Sequence, residues 1–87
     1  MNTISESELV LVIKSKALKR MHIVQNEHGK FRIIVNLNNQ EGELELVTFR
    51  KKPREWASLD RLAKHTREKY GAIPVMTLSL YLGEPSK

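Results

Sequence analysis

An α+β domain is what this chain predicts, and three features predict it. Apolar residues alternate over three successive stretches separated by glycine turns. Helix-start signals at Ser5 and Ser58 bracket those stretches, and a fourth alternating run follows the second helix. The expected order is helix, three-stranded antiparallel meander, helix, fourth strand, with both helices packed on one face of the sheet. Residues 1–87 read as a single domain, of which 83–87 read as a frayed tail.

Ser5-Glu6-Ser7-Glu8 opens the first helix, since Ser5 can cap the N-terminus while Glu8 bonds back to the Ser5 amide. The run Leu9-Val10-Leu11-Val12-Ile13 would also suit a strand. Lys14 and Lys16 near the far end agree with the helix dipole, which favours a helix over Glu6–Lys16. From Lys19 to Asn26, Met21, Ile23 and Gln25 share one face of a strand, with His22 and Val24 on the other. Glu27-His28-Gly29-Lys30 is a hairpin turn with glycine where a positive φ is needed. Phe31 to Leu37 alternates again, and Asn38-Asn39-Gln40-Glu41-Gly42 reads as a second turn. Glu43 to Phe49 is the third strand. Its apolar residues fall out of register after Leu46, which implies a bulge near Leu46-Val47 or burial on both sides.

Lys51-Lys52-Pro53-Arg54 ends that strand, because proline donates no amide and pushes Lys52 out of the helical region. Ser58 caps the second helix, whose apolar wedge is Leu59, Leu62, Ala63, Thr66 and Tyr70; Gly71 stops it. Val75 to Leu82 is the fourth strand, with Met76, Leu78, Leu80 and Leu82 on one face. It is expected to run parallel to the first strand of the meander and beside it, or to pair with a second subunit. A chain of 87 residues buries a modest share of its surface, so a homodimer is plausible.

Charge is unevenly spread. Between Arg50 and Lys69 eight Lys/Arg stand against three Asp/Glu, a net of +5, while residues 1–49 carry six of each and 70–87 one of each. The formal charge of +5 therefore lies in one segment. The pI near 9.8 permits a polyanionic partner. The chain has no cysteine, which excludes disulfides and thiolate metal sites and fits a reducing cytoplasm. Its longest apolar run, Leu9–Ile13, is far short of the roughly 20 residues that span a bilayer, and the acidic start does not resemble a targeting peptide.

Catalysis finds no support in the residue pattern. His22, His28 and His65 fall on a strand, a turn and a helix without ligand spacing, and there is no Gly-rich phosphate loop. No catalytic residue, metal or cofactor is expected. His65 reads as a solvated side chain on the polar helix face. The basic segment carries the functional expectation instead. Arg50, Lys51, Lys52 and Arg54 flank the helix start at Ser58, and Arg61, His65 and Lys69 extend the patch along one row of the helix. Phosphate recognition needs several long cations without demanding geometry. A plain solvated helix competes, since Asp60, Lys64 and Glu68 form their own ladder of alternating sign. Trp56 reads either as a cover over the seam between helix and sheet or as an anchor for a protein partner.

Among nucleic-acid modules, the layout excludes a helix-turn-helix and lacks the stacking aromatics of an RNA-recognition sheet. It superficially resembles a double-stranded-RNA-binding domain, but departs from it in its long fourth strand and in lacking an alanine-rich second helix. A second resemblance rests on Phe31-Arg32-Ile33-Ile34-Val35 followed by Lys52-Pro53-Arg54-Glu55-Trp56-Ala57-Ser58-Leu59-Asp60-Arg61-Leu62. This half of the chain resembles small partition-associated accessory proteins of plasmids and integrative elements. The resemblance implies a non-enzymatic, cytoplasmic protein of a bacterial mobile element that acts beside DNA or a DNA-bound partner. The expectation is thus a small basic accessory protein associated with nucleic acid. The alternative is a protein-interaction or self-assembling module.

Overall fold

The structure, a computed structural model, describes residues 2–38, 40–71 and 76–80. Ahead of the first helix the backbone runs extended over Asn2–Ser5 (β1), and Ser5 then caps α1 (Glu6–Lys14). The capping box forms in full: the Glu8 amide donates to Ser5 Oγ at 3.2 Å, and the Ser5 amide donates to Glu8 Oε1 at 2.9 Å. Helix α1 ends two residues before the expected Lys16. Lys16 takes φ 61° and donates its amide to the Ile13 carbonyl, which turns the chain into the sheet.

Three antiparallel strands follow, β2 (Leu18–Gln25), β3 (Phe31–Leu37) and β4 (Gln40–Val47). The β2–β3 turn is organised by Asn26, whose Oδ1 accepts from the amides of His28 and Lys30, with Gly29 at φ 79°. The β3–β4 connection is tighter than expected. Leu37 already faces Gln40, and Gly42, at φ 88°, lies inside β4 near a break in register between Val35 and Leu37. The irregularity therefore lies near Gly42, and at Leu46-Val47 the other expected outcome holds: both residues are buried, on opposite faces of the strand. Helix α2 (Leu59–Lys69) starts at Ser58, which accepts from the Arg61 amide, and stops at Gly71, at φ 71°. Strand β5 (Met76–Ser79) runs parallel to β2, in the position expected beside it.

One correction concerns the fold class. A helix, three-stranded antiparallel meander, helix and fourth strand is not the architecture. The sheet has five strands in the order β1-β4-β3-β2-β5 and is mixed, because β1 pairs parallel with β4 and β5 parallel with β2. Four residues are too few for alternation to register, and the capping box at Ser5 masks the extended segment before it. Moreover, the partner that makes Asn2–Ser5 a strand, Leu44–Val47, is some forty residues away. The outcome is two interleaved crossovers, β1-α1-β2 and β4-α2-β5, each passing over two intervening strands. The parts of the expected fourth strand at Val75, Tyr81 and Leu82, and the tail 83–87, lie outside the described residues.

Both helices bury their apolar stripes in one core. Leu9 of α1 and Leu62 and Tyr70 at α2 join Ile4, Met21, Ile23, Phe31, Ile33, Val35, Leu44 and Leu46 from one face of the sheet. The other face carries a polar clamp. Arg32 reaches Glu45 at 3.3 Å and Glu55 at 2.9 Å, and Asn26 Nδ2 donates to the same Glu55 oxygen at 3.1 Å. Glu55 thereby pins the segment after β4 to β3. Backbone bonds add to this, since Phe31 and Trp56 exchange N–H···O=C bonds at 2.9 Å in both directions.

Candidate nucleic-acid interface

Pinning of that segment produces a feature absent from the expected fold. After Val47 the chain doubles back on itself: the Arg54 amide donates to the Leu46 carbonyl at 3.0 Å, and Val47 bridges Pro53. Between these, residues 48–52 close a tight turn. The Thr48 amide donates to the Lys52 carbonyl at 2.7 Å, and the Lys51 amide to the Thr48 carbonyl at 2.8 Å. The Lys52 amide also donates to Thr48 Oγ1 at 3.3 Å. Lys51 takes φ 63°, the left-handed conformation this closure demands. The result is a small ordered tip made of Phe49, Arg50, Lys51 and Lys52.

The expected site residues separate into two groups. Arg50, Lys51, Lys52, Arg61 and Lys69 are exposed, and among the described residues none of them enters an ion pair. Lys51 lies close enough to Glu8 for its charge to help hold that carboxyl below its usual range, behind the larger effect of hydrogen bonds to Ser5. Arg54, half-buried, and Trp56, buried, are engaged by the fold itself. The Arg54 guanidinium sits 3.9 Å from Glu6 and 5.2 Å from the Trp56 ring. Trp56 itself is 8% exposed and part of the core, covering the helix–sheet seam, so it offers a partner little surface.

His65 is not a solvated side chain. Its side chain is 16% exposed, and Nε2 bonds Glu6 Oε2 at 2.9 Å, joining α2 to the first turn of α1. The Tyr70 hydroxyl donates to the same oxygen at 3.2 Å. The rings of Trp56 and Tyr70 flank the imidazole at 5.3 and 5.5 Å. Partial burial pushes the Glu6 carboxyl up, but the hydrogen bond and charge of His65, the Arg54 charge and the Tyr70 hydroxyl outweigh it, and the net shift is downward. Burial, then the Glu6 charge and hydrogen bond, push the Tyr70 phenol up. The group stands where α1, α2 and the linker meet. Only the tertiary structure brings Glu6 and His65 together, since 59 residues separate them in the chain.

No family model, characterised protein or solved structure matches this chain. The site must therefore be read from its own chemistry.

Arg61, His65 and Lys69 are four residues apart, so one flank of α2 carries all three. His65 shows that this flank faces the start of α1, with Arg61 a turn before it and Lys69 a turn after. Sequence reasoning missed Phe49, which it placed on the third strand. The ring is 100% exposed. Its signal was available: Phe49 falls out of register with Leu44 and Leu46 and is followed at once by three cations. Among the described residues no group of three His, Cys, Asp or Glu side chains could hold a metal ion. Among the described residues no helix is long and apolar enough to cross a membrane.

Proposed function

We propose that this chain is a non-enzymatic basic protein that associates with nucleic acid through the turn Arg50–Lys52, supported by Arg61 and Lys69 on α2. The observation that carries this reading is the state of the turn. Three consecutive cations stand exposed on a backbone closed by its own hydrogen bonds, while Arg54, two residues on, is engaged with Glu6. Long cations free of internal carboxylates are what phosphate contacts require, and they position a protein on a backbone without reading sequence. The Glu6–His65–Tyr70 group takes a structural part here, since Glu6 Oε2 holds His65 Nε2 and the Tyr70 hydroxyl between the two helices. The resemblance to partition-associated accessory proteins adds a setting, the cytoplasm of a bacterium carrying a mobile element.

Fluorescence anisotropy with labelled mixed-sequence DNA and RNA tests the reading. Binding is expected to weaken steeply as salt rises and to fall by at least tenfold when Lys51 and Lys52 are both changed to Glu. Binding that ignores both salt and this double change would count against it.

One observation favours a second reading, a protein-interaction or self-assembling module. Met76, Leu78 and Leu80 are exposed, and Met76 and Leu78 lie on β5 at the edge of the sheet, in register with Met21 and Ile23. An apolar edge strand is a template for pairing with another chain. On that reading light scattering gives a mass above that of one chain, and Leu78→Glu lowers it.

A further inference from the structure

We infer that the tip of the turn takes unpaired bases, so that the ligand is single-stranded nucleic acid; this rests on the nucleic-acid reading above and narrows it. Phe49 carries the inference. Phe31, Trp56 and Tyr70 are all buried, whereas the Phe49 ring is wholly in solvent. Water exposure of a whole phenyl ring is unfavourable, and nothing in the packing of the described residues gains from it. The ring is also not on a loose linker. The bonds of Thr48 to Lys52 and of Lys51 to Thr48 fix the backbone on its C-terminal side, and β4 ends one residue before Thr48.

An aromatic face beside a row of cations is the combination that single strands select. The ring stacks on a base, and neighbouring lysines and arginines hold the phosphates on either side. Every base has a π-face, so the contact is tolerant of sequence. In a duplex those faces are covered by the adjacent pairs, and the ring has nothing to stack upon. Arg50, Lys51 and Lys52 follow Phe49 directly. Successive Cα atoms are about 3.8 Å apart, and their long side chains can therefore reach more than one phosphate of an extended strand. An anionic membrane is a poorer match, because interfacial binding scales with buried apolar area and the tip offers one apolar side chain between Thr48 and Arg50.

The test uses the full chain with a mixed-sequence single strand, its duplex, and phosphatidylserine vesicles. Phe49→Leu is expected to weaken single-strand binding by about 5- to 100-fold and to leave duplex binding unchanged. Phe49→Trp is expected to retain single-strand affinity, and the added indole emission is expected to fall on binding as the base quenches it. Since the ring touches no core residue, circular dichroism of both variants should match the parent. Equal single-strand affinity in the parent and Phe49→Leu, with salt dependence kept, overturns stacking but leaves the basic-turn reading intact. Loss of salt-dependent binding to every nucleic acid overturns both. Vesicle binding that depends on Phe49, with no single-strand competition, also overturns the inference.

Discussion

Glu6 Oε2 accepts from His65 and Tyr70 and lies 3.9 Å from Arg54, so one oxygen ties two helices and the linker together. Because the folded carboxyl titrates below its usual value of 4.5, its contribution is fully present above that pH and is lost as pH falls through the folded value. Glu6→Gln should therefore lower the urea midpoint near neutral pH and converge on the parent in acid, which a pH series of urea melts would show. Glu6→Ala leaves His65 and Tyr70 without their acceptor and should cost about 1–2 kcal/mol, since the carboxylate is partly exposed and screened. Lys51 presents the opposite case. At φ 63° a lysine is strained where glycine is not, so Lys51→Gly is expected to stabilise by up to about 1 kcal/mol while weakening nucleic-acid binding. Chemical denaturation beside anisotropy would separate the two effects. Lys16 takes the same conformation where α1 stops, so left-handed backbone alone does not mark a binding residue here.

At the scale of elements, local signals were legible and distant ones were not. The capping box at Ser5, the cap at Ser58, the stop at Gly71 and the inward faces of β2 and β3 all rest on residues a few positions apart, and each forms. Strand β1 depends on a partner some forty residues away, and the Glu6–His65 bond on a helix packing that no pattern within α2 announces. Phe49 was hidden for a related reason: its apolar side chain extends the third strand until the turn bonds of Thr48 are known. The basic turn was readable as charge but not as an ordered tip, because Arg54 looks no different in sequence from Arg50. Two stability measurements check the element-level account. Ser5→Ala, which removes the cap, should cost about 1 kcal/mol, and Leu62→Ala, which truncates a fully buried side chain of α2, about 2–5 kcal/mol.

Across the whole molecule the interleaved crossovers put both helices over one core and bring the start of α1 beside α2 and the linker. Glu6 of that first turn takes up Arg54, which leaves the surplus positive charge at the turn tip and along the α2 flank. The exposed apolar residues of β5 lie on the edge strand that closes the opposite end of the sheet order from β1. Leu78→Glu should accordingly leave nucleic-acid affinity unchanged even where it alters mass in light scattering. Most direct of all is the dependence of single-strand affinity on salt. With three to five cations engaged, log K against log salt should fall with a slope of about −2 to −3.5, and the double change Lys51→Glu and Lys52→Glu should flatten it. A slope near zero, or one that the double change leaves untouched, would contradict the account.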